Sequence, residues 1–430
     1  MSTIVVSGGH PLRGRCTLQG SKNIALHLYA AGLLMPGRLT IHNAPAIVDT
    51  GVCAEIVSEL GRPVTLGAGT FEVAADTRTG REIRPELGRR IRPTACFAAA
   101  VLARRSRVRF PLPGGDQFCD RPVDLHLRAM ERSGAQLELL PGGVVDAVLP
   151  GGRPRAFAMS MDTPHGPSLG ATVTAIFLAV IASGTTVLTD ISIEPEVIHI
   201  VDCLNRAGAD IVLMSERRCV IRGVAELRTV DTVVAPDRLE AGTLALAALI
   251  TGGEVVLART GEAVLTPGFA DALTRMGAEL ISGPDGLLVR GGRLSPVDVV
   301  TGPHPQFPTG LQPPTTGLLS LVHGRSRIVE RVYQRRATHL DGLRAFGADV
   351  EELGTATVIT GVSELRPAAV AATDIRCCTA LLLAALAAKG ESRVSGLRHL
   401  YRGHGGLIDA LNGMGASIMR VNSAEELVRT

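Results

Sequence analysis

The sequence predicts a mixed α/β protein assembled from six copies of one unit of about 70 residues, grouped three and three. Two interleaved series carry that prediction. In the first, a helix end meets Gly, usually followed by Ala, and a strand begins: SELGRPV (58–64), ERSGAQL (131–137), NRAGADI (205–211), TRMGAEL (274–280), RAFGADV (344–350) and NGMGASI (412–418). The glycines, Gly61, Gly134, Gly208, Gly277, Gly347 and Gly415, follow one another at intervals of 73, 74, 69, 70 and 68 residues. In the second, AAGLLMPGRLTI, AAAVLARRSRVRF, LAVIASGTTVL, LAALITGGEVVL, LLSLVHGRSRIV and LAALAAKGESRV keep the same rhythm. Each is an Ala/Leu-rich helix end, a break and a β-branched strand. Glycine suits the left-handed residue that ends a helix before a strand. Sheet-plus-helix units of this size cannot bury both faces alone, so they must pack on one another.

Bulk properties bound the function. The chain has 430 residues, 46% hydrophobic and 20% charged, enough for two to four domains with ample core. Aromatics make up 3%, with no Trp, which argues against base-stacking platforms for single strands. A net charge of +3 is too small for a general nucleic-acid binder, so any cationic function must come from local clustering. Eight scattered cysteines without a CxxC pair argue against a zinc site and a disulfide framework. MSTIVVSGG lacks the features of a signal peptide, and the longest apolar run, 377–388, falls short of a bilayer span. These features predict a soluble cytoplasmic protein, with no nucleic-acid or membrane partner.

Taken in order, the units place cations beside helix starts. Gly20-Ser21-Lys22-Asn23 precedes an apolar helix from about Ile24; Ser21 or Asn23 can cap it, and Lys22 adds charge to an anion-attracting terminus. Arg92 opens the second unit's helix. Residues 112–126, LPGGDQFCDRPVDLH, form a glycine-rich turn carrying Asp116, Cys119, Asp120 and Arg121, and 122–126 open an amphipathic helix reaching Ser133, with Pro122 in its first turn. Such a loop suits a lid over an anionic substrate. In HGPSLGATVTAIFL, Ser168, Leu169 and Gly170 precede another helix, a second phosphate cradle. Arg238 (APDRLEAGT), Arg336 (VYQRRATHL), Arg376 (ATDIRCCTALLL) and Arg402 (HLYRGHGG) follow. Several occupy matching points of different units. Six arginines and a lysine on one cleft suit a small, highly charged anion such as a phosphorylated carboxylate.

These motifs resemble the enolpyruvyl transferases over essentially the whole chain, and most closely the branch that uses UDP-N-acetylglucosamine for a peptidoglycan precursor. They are GSKNIAL, LPGGxxxxxRPVDLH, PSLGATVT, EPEV, APDRLEAGT, PHPQFPTGLQ, VYQRRATHL and DIR…YRG. EPSP synthase shares the six-unit architecture. The resemblance implies an inside-out α/β barrel of two domains, each three βαβαββ repeats: 22–229, and 1–21 plus 230–430, with the active site in the cleft. It implies transfer of the enolpyruvyl group of phosphoenolpyruvate to a uridine-nucleotide hydroxyl, with release of phosphate by addition–elimination and no metal or organic cofactor. It also implies a monomer or weak homo-oligomer.

Carried over by position, Lys22, Arg121 and Arg402 hold the phosphate, with Lys22, Asp116 and Arg402 as the catalytic set. Arg336 and Arg376 grip carboxylate and phosphate, and Arg92 and Arg238 line the same cleft. Arg121, Pro122, Val123, Asp124 and Leu125 hold uracil, Ser168, Leu169 and Gly170 the nucleotide phosphates, and Asn23 the acceptor sugar. Two departures stand out. Asp116 occupies the loop position usually held by cysteine, where a carboxylic acid can deliver the proton instead; this predicts weak inactivation by the epoxide fosfomycin, which alkylates that cysteine. Gly310 replaces the aspartate that acts as base, and Gly166 a lysine that touches the nucleotide. Asp49, His304, Asp374 or the substrate's phosphate are then the candidate bases. The departures leave two further readings: a divergent transferase acting on UMP in nucleoside-antibiotic biosynthesis, or a non-catalytic nucleotide-binding relative.

Overall fold

The computed structural model describes residues 3–76, 80–116, 118–119 and 121–421. Asp120 lies outside them. The chain divides into two compact units, Gly20–Ala235, and Met1–Gln19 together with Pro236–Thr430. Each has its own apolar core.

In Gly20–Ala235 three helices are buried on nearly every side: Lys22–Ala31, Thr94–Arg105 and Leu169–Ala179. Their small, apolar sequences (TACFAAAVLA, LGATVTAIFLA) have no polar face, and a helix without one is stable only inside a core. Three further helices, Val48–Glu59, Asp124–Arg132 and Pro195–Arg206, bury one face each. Three sheets complete the unit among the described residues. In the first, Leu39–His42 pairs antiparallel with Thr70–Val73, which pairs with Val64–Gly67. Thr232–Val233 adds to the other edge of Leu39–His42 in parallel, and this pairing carries the unit's boundary past residue 229.

The second unit repeats the plan. Arg238–Ile250, Gln312–Leu319 and Ile375–Ala387 are buried all round, while Pro267–Met276, Leu340–Ala345 and Leu407–Gly413 each leave part of their surface exposed. Two of its sheets are completed by the start of the chain. Thr3–Gly8 lies between Gly390–Ser395 and Ser417–Val421, antiparallel to both, with Thr3 opposite Ser395 and Val421. Arg13–Thr17 adds in parallel to Glu254–Ala258. The sixth repeat therefore takes its last strand from residues 3–8.

All six glycines of the first series are left-handed, with φ between 87° and 101°. The helix at 122–133 departs from expectation. It spans Asp124–Arg132 with Val123 at its N-cap, so Pro122 stands before the cap and not in the first turn.

Candidate active site

The cationic residues are distributed over both units, and each set is built within its own. In Gly20–Ala235, Gly20 sits where a Cβ would fall 1.8 Å from the Asn43 carbonyl oxygen, so only glycine admits this backbone path into the first buried helix. Ser21 caps the helix, its hydroxyl accepting from the Ile24 N–H at 3.4 Å. Lys22 follows as the first helical residue, its Nζ 2.8 Å from Asp49 Oδ2. The lysine side chain is 14% exposed and the carboxylate 3%, so each buried charge faces an opposite one. Asn23 accepts from His27 through its backbone oxygen at 2.6 Å.

Arg92 lies two residues before the helix Thr94–Arg105 and ties down the loop: its Nη2 donates to the carbonyl oxygens of Arg121 and Pro122. Arg121 in turn donates to the Asp116 carbonyl at 2.6 Å and stacks its guanidinium 5.0 Å from the Phe118 ring. The loop is also fixed at its root, where Leu112 N–H donates to Gly143 and Gly115 N–H to Arg89. Arg92, Asp116, Arg121 and Pro122 thus form one hydrogen-bonded group. Asp124 is exposed, 3.7 Å from Arg128 one turn on. The Leu125 side chain is buried in the core.

Ser168 caps the third buried helix by accepting from Ala171 N–H at 3.3 Å, which places Leu169 and Gly170 in the first turn, where backbone N–H groups attract anions. Behind it, His126 Nδ1 is 2.7 Å from Thr174 Oγ1. A Cβ on Gly170 would fall 3.0 Å from the His126 ring. Burial, aided by Arg92 and His27, pushes the His126 imidazole down to about 3 and holds it neutral. Gly166 has φ 94°, a backbone that disfavours the lysine expected by resemblance.

In the second unit, Asp237 caps the helix Arg238–Ile250, accepting from the N–H groups of Leu239 and Glu240 at 2.8 and 3.2 Å. Arg238 donates to Thr266 Oγ1 at 2.8 Å. Glu240, one turn on, accepts from the Gln19 N–H, and burial with Asp237 nearby raises it to about 8. Arg336 is 8% exposed; its Nη1 donates to the Thr309 carbonyl at 2.7 Å and hydroxyl at 3.0 Å. That hydroxyl donates to Glu330 Oε2, while Glu330 Oε1 accepts from Thr301, Val332 and Tyr333. Gly310 follows Thr309. A Cβ there would meet Leu239 methyl carbons at 3.1 and 3.2 Å and Arg376 Nε at 3.5 Å. Arg376 Nη1 lies 2.8 Å from His404 Nε2. Arg402 sits in the turn that follows the short helix Leu397–Leu400, beside Gly403, whose carbonyl accepts from Gln19.

Of the alternative bases, Asp49 is paired with Lys22, and Asp374 is committed as a cap to the N–H groups of Arg376 and Cys377 and to the Thr338 hydroxyl. His304 is half-buried. Sequence reasoning missed His404 and the Thr309–Glu330 pair. The YRGHGG and PTGLQ motifs contain His404 and Thr309, but which arginine each serves is a tertiary fact. Among the described residues there is no group of three His, Cys, Asp or Glu side chains able to hold a metal ion, and no helix long and apolar enough to cross a membrane.

The sequence profile of EPSP synthase (3-phosphoshikimate 1-carboxyvinyltransferase) matches residues 6–411. A UDP-N-acetylglucosamine 1-carboxyvinyltransferase from Trichormus variabilis is 37% identical over 424 residues, covering 98% of this chain and 94% of its own. One from Zymomonas mobilis is 36% identical, covering 98% and 100%. Among solved structures, the enolpyruvyl transferase NikO from Streptomyces tendae superposes with a TM-score of 0.86 at 26% identity, over 98% of this chain and 99% of that one. EPSP synthase from Acinetobacter baumannii shares the fold, with a TM-score of 0.75 at 16% identity, over 98% and 100%. Six repeats in two three-repeat units, cations at the buried helix starts and likeness over nearly the full length converge: the chain belongs to the enolpyruvyl transferase family.

Proposed function

We propose that this protein moves the enolpyruvyl group of phosphoenolpyruvate to a hydroxyl of a uridine nucleotide and releases inorganic phosphate. The observation that carries the reading is the set of seven cations, Lys22, Arg92, Arg121, Arg238, Arg336, Arg376 and Arg402, in a chain 37% identical to a transferase of this kind. We take both sets to serve one pair of substrates. Lys22, Arg121 and Arg402 hold the phosphate; Arg336 and Arg376 hold the carboxylate and phosphate, with Arg92 and Arg238 beside them. The strap 121–125 takes uracil, the helix start at 168–170 the nucleotide phosphates, and Asn23 the sugar.

Asp116 gives its proton to the methylene carbon of phosphoenolpyruvate while the acceptor oxygen bonds to the adjacent carbon. The Asp116 carboxylate then takes a proton back from the new methyl group as phosphate leaves the central carbon of the tetrahedral adduct, giving an enol ether and inorganic phosphate. The fixed guanidinium groups stabilise the charge that builds up and hold both reactants in attack geometry. With glycine at 310, and Asp49 and Asp374 already engaged, we assign the hydroxyl proton to the substrate's own phosphate, with His304 the side chain left as the alternative acceptor. Biosynthesis of this kind places the protein in the cytoplasm.

UDP-N-acetylglucosamine is the first acceptor to test, given the relatives. Gly310 and Gly166 favour a second, UMP, because both remove side chains that would meet the larger nucleotide. Phosphate release and product mass, measured with phosphoenolpyruvate and each nucleotide separately, decide between them. Tight nucleotide binding without phosphate release from either would overturn the transferase reading in favour of a binding protein.

A further inference from the structure

We propose that His404 is a positioning residue for Arg376, an inference that rests on Arg376 gripping phosphoenolpyruvate. The backbone of Arg376 is fixed by Asp374, whose Oδ1 accepts its N–H at 2.8 Å and that of Cys377 at 3.0 Å. The side chain is then aimed by Nη1, 2.8 Å from His404 Nε2. His404 is 1% exposed, so packing holds its ring, and its backbone N–H donates to the Leu400 carbonyl at 2.7 Å, which fixes the main chain that carries it. A guanidinium can only donate. Nε2 therefore accepts, and the imidazole is neutral with its proton on Nδ1.

The opposite edge of the guanidinium explains why an imidazole fits. A Cβ at position 310 would sit 3.5 Å from Arg376 Nε, but glycine brings no carboxylate there. A carboxylate would fix the guanidinium plane and also cancel its charge. The neutral imidazole fixes the plane and adds no opposing charge of its own. His404 thus gives Arg376 direction without bringing a charge, on the far side of the guanidinium from Gly310.

The test is steady-state kinetics on wild type, H404L and H404Q, with melting temperatures for each. H404F, closer in shape to histidine, replaces H404L if the leucine variant does not fold. Glutamine offers an amide oxygen close to where Nε2 lies. Losing one hydrogen bond to a charged group should raise KM for phosphoenolpyruvate about tenfold in H404L or H404F, with the nucleotide KM unchanged. H404Q should stay within about threefold of wild type. An unchanged phosphoenolpyruvate KM in the apolar variant, or equal impairment of H404Q, would overturn the inference while the transferase reading stands. Wild type that releases no phosphate with either nucleotide removes both, a result visible before any variant is made.

Discussion

Asp116 stands where a thiol would make the loop a target for an epoxide, and an aspartate cannot open that ring as a thiolate does. Fosfomycin should therefore leave the wild type unlabelled, while D116C should gain one covalent adduct by intact mass. A wild-type adduct on the loop would show that the reactive position lies elsewhere. His126 makes a second prediction at this scale. Burial holds its folded-state value at about 3, whereas the unfolded ring takes a proton near 6.5. The unfolded chain thus binds more protons between these values, so stability is full above pH 6.5 and falls as the pH drops toward 3. The cost reaches about 2 kcal/mol by pH 5. Urea midpoints at pH 7.5 and 5 should differ less in H126Q than in wild type, and equal differences would refute the assignment. Lys22, Arg92 and Arg376 were legible as candidates because charge beside an apolar helix start is a local signal, while Arg121 and Arg336 were legible through the motifs that carry them. His404 was not: its meaning depends on Arg376, 28 residues earlier, and on a missing side chain at 310.

Helix ends set the rhythm of the chain. Each of the six glycines leaves its helix in the left-handed conformation, where a β-carbon costs about 1–2 kcal/mol. Gly347 isolates that cost, since its φ is 87° and an added Cβ would meet nothing within 4 Å. G347A should lower stability by about that amount. Gly413 is the control: it ends the helix Leu407–Gly413, an added Cβ there also meets open space, and its φ is not left-handed. G413A should stabilise by up to about 1 kcal/mol. Equal changes in melting temperature for the two variants would refute the conformational argument. This layer was readable in the sequence because periodic glycines before β-branched runs have one physical meaning. The start of the helix at Asp124 was not, since a proline before a cap and a proline inside the first turn look alike without the backbone.

At the scale of the whole molecule, the six repeats close by borrowing. Residues 236–421 lack the strands Thr3–Gly8 and Arg13–Thr17 that complete two of their sheets. No local pattern announces such a loan, because strand partners 241 to 418 residues apart leave no mark on spacing; only the family resemblance assigned 1–21 to the second unit. A fragment of 236–421 should therefore fail to unfold cooperatively, while 20–235, which holds its own three sheets, should fold. Thr3 pairs with Val421, so a hairpin turn of a few residues can join them in place of 422–430 and 1–2. The chain 236–421–turn–3–19 should recover a cooperative denaturant transition; if it behaves like the bare fragment, the two strands do not complete the unit.

The same borrowing has a consequence for birth order. A ribosome adds roughly 5–20 residues per second, so the first strand emerges tens of seconds before its partners at 390–395 and 417–421 exist, and the second strand waits in the same way for 254–258. Throughout that wait they are unpaired edges in a crowded cell, open to the wrong neighbour. Arg13 and Arg15, carried on the second of these strands, are the kind of charge that discourages such mispairing until its partner at 254–258 arrives.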